Sequence, residues 1–134
     1  MNYKHAYHAG NFADVAKHIL LLQLLAQFSA KAKPYYVLDA YGGRGLYSLA
    51  STETQKTKEA ERGIVALEKA VAAGVDHLPK AVAQYLDDLA FARNKYDQFV
   101  YPGSPWWIAH HSEYHSADAP LRCEAFEAIA DEYD

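Results

Sequence analysis

The chain has 134 residues, a formal net charge of −4 and 51% hydrophobic residues, which allows one folded domain with a real core and excludes a disordered chain. A single cysteine, Cys123, excludes an internal disulfide and fits a reducing compartment. No apolar run reaches bilayer-spanning length and Met-Asn-Tyr-Lys-His is not a signal peptide, so the expected location is cytoplasmic, with no membrane partner.

Charge is unevenly placed. Before Pro34 stand Lys4, Lys17, Lys31 and Lys33 against Asp14 alone, whereas from Ser112 onward Glu113, Asp118, Glu124, Glu127, Asp131, Glu132 and Asp134 face only Arg122. The N-terminal end suits a phosphate backbone and the tail does not, although a solvated lysine face reads the same way. Residues 1–11 form an arm without helical or alternating period, in which tyrosines beside Lys4 and His5 suit stacking on an exposed base. His5 and His8 lack a third ligand of clear spacing, so no metal site is expected.

Asn11 is a good N-cap with Asp14 three residues on, which predicts a helix from about Phe12 to Phe28. Val15, Ile19, Leu22 and Ala26 form one stripe, yet Leu20, Leu21, Leu24 and Leu25 fill most other faces, the pattern of a helix buried on several sides. His18 within it reads as an ordinary core or surface histidine unless the helix borders the turn that follows. Lys31, Lys33 and Pro34 end the helix.

Tyr35 to Leu38 has the composition of a buried strand and ends in Asp39, after which Gly42, Gly43 and Gly45 follow closely. A strand, a carboxylate at its C-terminal end and a glycine-rich turn build nucleotide-type pockets in open α/β sheets. The dinucleotide fingerprint fails at Ser48, while Asp39, Gly43 and Gly45 make the shorter D-x-x-x-G-x-G form found in S-adenosylmethionine (SAM) methyltransferases. Taken alone, the stretch fits such a pocket or a plain glycine turn after a core strand.

Ser51–Gly74 reads as helix, with Thr52 and Gln55 as a capping box, Thr57 as another candidate start and Gly74 as C-cap. Pro79 opens a second helix that turns Val82, Tyr85, Leu86 and Leu89 inward. Together they predict a helical hairpin inserted over about residues 52–95. Tyr96–Tyr101 is aromatic and extended, Pro102-Gly103-Ser104-Pro105 is a turn, and Trp106-Trp107-Ile108 must bury or mark an interface. His110, His111 and His115 have no fixed partner and are expected to make polar hydrogen bonds or face solvent. Ala117–Tyr133 reads as an acidic amphipathic helix using Leu121, Phe126 and Ile129.

Several blocks in this order carry a family resemblance: Tyr3-Lys4-His5, His8-Ala9-Gly10-Asn11, Ala13-Asp14-Val15 and Lys17-His18, then Leu38-Asp39 with Gly43, Gly45 and Tyr47. Thr57, Glu59, Gly63 and Ile64 continue it, followed by Tyr101-Pro102-Gly103-Ser104-Pro105 and by Glu113, His115 and Asp118. The chain resembles the bacterial large-subunit ribosomal RNA adenine-N6 methyltransferases of the RlmJ type, once grouped under use of external DNA. The resemblance implies an enzyme that transfers a methyl group from SAM to the N6 of an adenine in large-subunit ribosomal RNA. It implies a helix-rich α/β, Rossmann-like SAM methyltransferase fold, with an incomplete parallel sheet and an inserted helical hairpin, residues 1–134 forming one partial domain.

By the same resemblance His18, Asp39, Tyr41, Gly43, Gly45, Ser104 and Glu113 line the SAM site, Glu113 gripping ribose hydroxyls from a strand end. Tyr3 and Lys4 would meet the substrate RNA, an aromatic arm closing over a flipped base. Tyr41 stands where the family usually has a histidine. The chain is shorter than the family between Pro105 and Glu113, which predicts that most of the second sheet strand is missing. No Asp-Pro-Pro or Asn-Pro-Pro occurs, so no catalytic residue is assigned and the chain alone is expected to be inactive. Open sheet edges predict self-association. The alternative is a non-catalytic RNA- or DNA-binding module, with steeply salt-dependent binding and no response to SAM.

Overall fold

Asn11 starts the first helix in the way its residue type favours: its side-chain oxygen accepts from Asp14 N at 2.8 Å, while the Asp14 carboxylate accepts from Gly10 N at 3.1 Å. The computed structural model describes residues 4–31, 33–114 and 121–125. Helix α1 spans Phe12–Ser29 and buries His18, Leu22 and Leu25. The expectation of burial on several sides is not met, because Phe12, Leu20, Leu24 and Phe28 are exposed. No helix among the described residues is long and apolar enough to cross a membrane.

Strand β1, Tyr35–Asp39, follows α1. It is not the fully buried strand its composition suggests: Tyr36 and Leu38 are exposed, alternating with half-buried neighbours. One face of the strand packs and the other does not. Its partner is β4, Leu121–Ala125, parallel and in register from Tyr35 opposite Leu121 to Asp39 opposite Ala125. That pairing overturns one expectation. The acidic helix is a strand over residues 121–125, since pairing with β1 outweighs the helix-like spacing of the apolar residues. Strand β1 thus has a parallel partner, whereas Phe126 and Ile129 lie outside the described residues.

A second small sheet is antiparallel: β2, Leu46–Ser48, lies against β3, Val100–Pro102, with Tyr47 opposite Tyr101. Between them the predicted long helix is broken. Helix α2, Thr52–Thr57, is capped by Ser51, whose Oγ accepts from Thr54 N at 3.3 Å. It ends where Lys58 takes the left-handed conformation at φ 56°. A 3-10 turn over Glu59–Arg62 and then Gly63 lead to α3, Ile64–Ala72.

The break has a cause: Gly10 O accepts from Ile64 N at 2.9 Å, and a Cβ on Gly63 would lie 2.1 Å from that same oxygen. Helix α4, Lys80–Lys95, starts after Pro79 and buries Tyr85, Asp88, Leu89 and Ala92. Helix α5, Ser104–Tyr114, buries Trp107 and Ile108, as the bulk of that stretch demanded. Tyr85, Leu89, Tyr101 and Trp107 meet Leu22, Tyr47 and Ile64 in one apolar core. The result is a helix-rich α/β arrangement in which the glycine turn joins β1 to β2.

Candidate functional site

The site is built around the turn after β1. Asp39 closes the strand with its Oδ2 buried and without a hydrogen-bond partner. Gly42 and Gly43 are buried while Tyr41 stands exposed beside them. Gly43 has φ +65°, and any Cβ there would lie 2.4 Å from the Tyr47 hydroxyl, so the position requires glycine. That hydroxyl accepts from Arg44 N at 2.8 Å, which holds the turn against β2.

On the far side Gly103 N donates to Gly45 O at 2.9 Å, and a Cβ on Gly103 would lie 2.2 Å from Arg44 O. The turn is thus braced by the backbone that leads into α5, and Ser104, buried, is the next residue. Gly45 differs from both: a Cβ there would meet nothing within 4 Å.

His18 reaches this region through Tyr101. It is 1% exposed, its Nδ1 lies 2.8 Å from the Tyr101 hydroxyl, and its Nε2 is buried with no hydrogen-bond partner. Burial holds the imidazole well below its usual pKa, and the adjacent Lys17 charge adds to the effect, so the ring is neutral. The Tyr101 hydroxyl also lies 2.8 Å from the Tyr85 hydroxyl, and burial raises the pKa of both phenols. The Trp107 ring lies 5.7 Å from that of His18. Since Tyr101 sits opposite Tyr47 across β2–β3, one strand pair connects His18 to the glycine turn.

The other site residues from the sequence are placed unevenly. Glu113 is exposed in the last turn of α5, not at a strand end. Lys4 is half-buried just before the 3-10 turn His5–Tyr7, and Tyr3 lies outside the described residues. Among the described residues no group of three metal-ligating side chains occurs.

His8 instead lies 2.8 Å from Glu59 Oε2, which also accepts from Asn11 Nδ2 at 3.1 Å. Thr57 Oγ1 donates to Tyr7 O at 2.6 Å and Thr54 Oγ1 to Ala6 O at 3.0 Å. The N-terminal block is thereby clasped to the segment around Glu59. His110 lies 3.2 Å from Asp88 and His111 3.0 Å from Ser29 Oγ, both buried in polar hydrogen bonds, whereas His115 lies outside the described residues. One surface groove of about 600 Å³ runs past Thr54, Lys58, Arg62 and Lys69, away from the turn.

Strand, glycine turn and surrounding helices make an α/β domain with a glycine-rich loop at a strand end. Residues 32–130 match the family model described as Ribosomal RNA large subunit methyltransferase D, RlmJ, and the chain belongs to that family. Over 86 residues it is 40% identical to the ribosomal RNA large subunit methyltransferase J of Haemophilus influenzae, covering 64% of this chain and 29% of that protein. Over 105 residues it is 32% identical to the Escherichia coli K12 protein of the same name, covering 78% of this chain and 36% of that one. Among solved structures it is similar to a Legionella pneumophila protein at 32% identity and a TM-score of 0.64, covering 94% of this chain and 42% of that one. The chain spans about a third of the length of the curated relatives it matches.

Proposed function

We propose that these residues form the methyl-donor-binding part of a SAM-dependent methyltransferase that acts on the N6 of an adenine in large-subunit ribosomal RNA. One observation carries the reading: two polar atoms, Asp39 Oδ2 at the start of the glycine turn and Nε2 of His18, whose ring is linked to the turn through Tyr101 and Tyr47, are buried without partners. Burying such atoms unpaired costs about 1–3 kcal/mol each, a cost that a bound ligand with matching polar groups removes. Asp39 would accept from a hydroxyl or amino group, and Ser104 at the start of α5 offers a hydroxyl. Gly43 permits the turn and Gly45 leaves room beside it. SAM, when bound, supplies a methyl group made electrophilic by its sulfonium.

Tyr41 lies exposed on the turn and would flank the ligand; Glu113 is left out of the proposed set. We read the parallel β1–β4 pair as the start of a Rossmann-like sheet, and α2 to α4, about residues 52–95, as the insert of a single partial domain. The clasped arm would bring Lys4, and Tyr3 before it, to the RNA.

With no Asp-Pro-Pro stretch in the sequence, we propose that these 134 residues bind the methyl donor but do not turn over alone. Calorimetric titration with SAM should show one site, and a methylation assay on unmodified ribosomal RNA should show no product. Product formed by these residues alone overturns the second statement. Steeply salt-dependent RNA binding with no heat from SAM overturns the first and favours a non-catalytic RNA-binding module.

A further inference from the structure

Three buried side chains form a line that starts in the helical insert and ends in the first helix: Tyr85 in α4, Tyr101 in β3 and His18 in α1. The Tyr85 and Tyr101 hydroxyls lie 2.8 Å apart, and the Tyr101 hydroxyl lies 2.8 Å from His18 Nδ1. Tyr85 and Tyr101 are fully buried at 0% exposure, so no solvent competes for their protons. The tyrosine pKa values are raised and that of His18 is lowered, which leaves all three groups neutral near pH 7.

A neutral line of this kind can run in two directions. If His18 carries its proton on Nδ1, it donates to Tyr101, Tyr101 donates to Tyr85, and the Tyr85 proton is left buried without an acceptor. No ligand at Nε2 repairs that loss, because the orphan lies at the other end. If instead Tyr85 donates to Tyr101 and Tyr101 to Nδ1, the one unused proton is on Nε2, the buried atom without a partner. A single acceptor oxygen placed there completes every donor in the line. Only this direction can be fully satisfied, and unmade buried bonds are the larger energetic consideration.

We infer that Tyr85 and Tyr101 are positioning residues that preset His18 as an Nε2–H donor for an acceptor oxygen of the bound methyl donor, a hydroxyl or carboxylate. The inference rests on the reading of the turn as a SAM site and deepens it. It gives the helical insert a part in ligand binding, because Tyr85 belongs to α4 and touches the ligand only through two other side chains.

The test uses the 134-residue chain labelled with 15N, with His18→Gln identifying the His18 ring signals. Long-range 15N–1H correlation spectra at pH 7 should show a neutral ring protonated on Nε2, with Nδ1 accepting a hydrogen bond. A ring protonated on Nδ1 overturns the inference whether or not SAM binds. Tyr85→Phe removes the donor to Tyr101 and should leave His18 a mixture of tautomers, while calorimetry should show SAM binding about threefold weaker, a modest fraction of one buried hydrogen bond. Unchanged tautomer and affinity in Tyr85→Phe also overturn it. Should that variant fail to fold, the parent spectrum still decides the direction of the line. If no form binds SAM, the reading of the site fails together with the donor role, and the spectrum shows separately whether the line runs as described.

Discussion

Gly10 O lies where a side chain on Gly63 would begin, 2.1 Å from the position of a Cβ. Backbone stands on the other side of this contact, with Asn11 C at 2.5 Å and Phe12 N at 2.7 Å, so nothing there swings aside. Gly63→Ala should therefore destabilise the chain by roughly 2–4 kcal/mol or prevent folding, as overpacking against rigid atoms does. Gly45→Ala is the matched control, since its Cβ would meet nothing within 4 Å. It should alter stability by less than about 1 kcal/mol yet weaken SAM binding. Urea unfolding of the two variants measures the contrast, and equal losses would contradict it.

Glu59 holds the N-terminal block through His8 and Asn11. The His8 hydrogen bond, then that of Asn11, lowers the carboxyl pKa below its ordinary 4.5. A depressed folded pKa gives stability that is present above the unfolded value and lost as pH falls through the folded one. Glu59→Ala should cost about 1 kcal/mol at pH 7, kept small by the half-exposed site, and much less once the carboxyl is protonated in both states. Amide exchange in residues 4–11 should accelerate in the variant at pH 7, and unchanged exchange would show that the clasp is dispensable.

His18 works in the opposite direction. Its folded pKa lies well below the ordinary 6.5 because burial disfavours the charged ring. The unfolded chain therefore binds the extra proton first, and stability should fall as pH drops below about 6.5. It should be flat in this respect from pH 7 to 8. The slope from this group is at most about 1.4 kcal/mol per pH unit. Unfolding curves of His18→Gln should lack this component, and a parent chain whose stability matches that variant at every pH would rule the effect out.

Tyr47 links the turn to β2 through its hydroxyl, which accepts from Arg44 N at 2.8 Å. Tyr47→Phe keeps the buried ring and removes that bond. The expected cost is about 1 kcal/mol of stability, together with weaker SAM binding, because the turn loses a brace. A variant that binds SAM as tightly as the parent would show that the brace to Gly103 suffices.

The exposed apolar side of the chain predicts association. Tyr36 and Leu38 on β1 stand exposed, as do Leu24 and Phe28 on α1, and a groove of about 280 Å³ runs between the two elements. Among the described residues each strand of the β1–β4 pair has one neighbour within its sheet. Sedimentation velocity should show concentration-dependent association that persists in high salt, since apolar burial rather than ion pairing drives it. Leu38→Lys should shift the chain toward monomer, and a parent chain that is monomeric at every concentration would overturn the expectation.

Local chemistry was legible in the sequence where the deciding residues sit close together. Asn11 and Asp14 set the start of α1, Pro79 that of α4, and Asp39 with its glycines announced the turn. The sequence does not display effects that come from distant backbone. Nothing near Gly63 says that Gly10 will press against it, so Ser51–Gly74 read as helix, with Thr57 as another candidate start but no break at Gly63. The apolar spacing of Leu121 and its neighbours suits a helix, and only pairing with β1 makes residues 121–125 a strand. The clasp between His8 and Glu59 was likewise hidden, although both residues carried the family resemblance. His18 stood out by that resemblance alone, and its line to Tyr85 needed the fold.

The bond from Gly103 to Gly45 has an optical consequence. Trp107 Nε1 donates to Pro102 O at 3.0 Å, one residue before that bond, and its ring faces His18 and Tyr85. Whatever stiffens or displaces the glycine loop is therefore transmitted to a buried indole within two peptide units. The chain carries an intrinsic fluorophore beside the backbone that braces its glycine turn, and a ligand bound at that turn should change its emission colour and quenching without an attached dye.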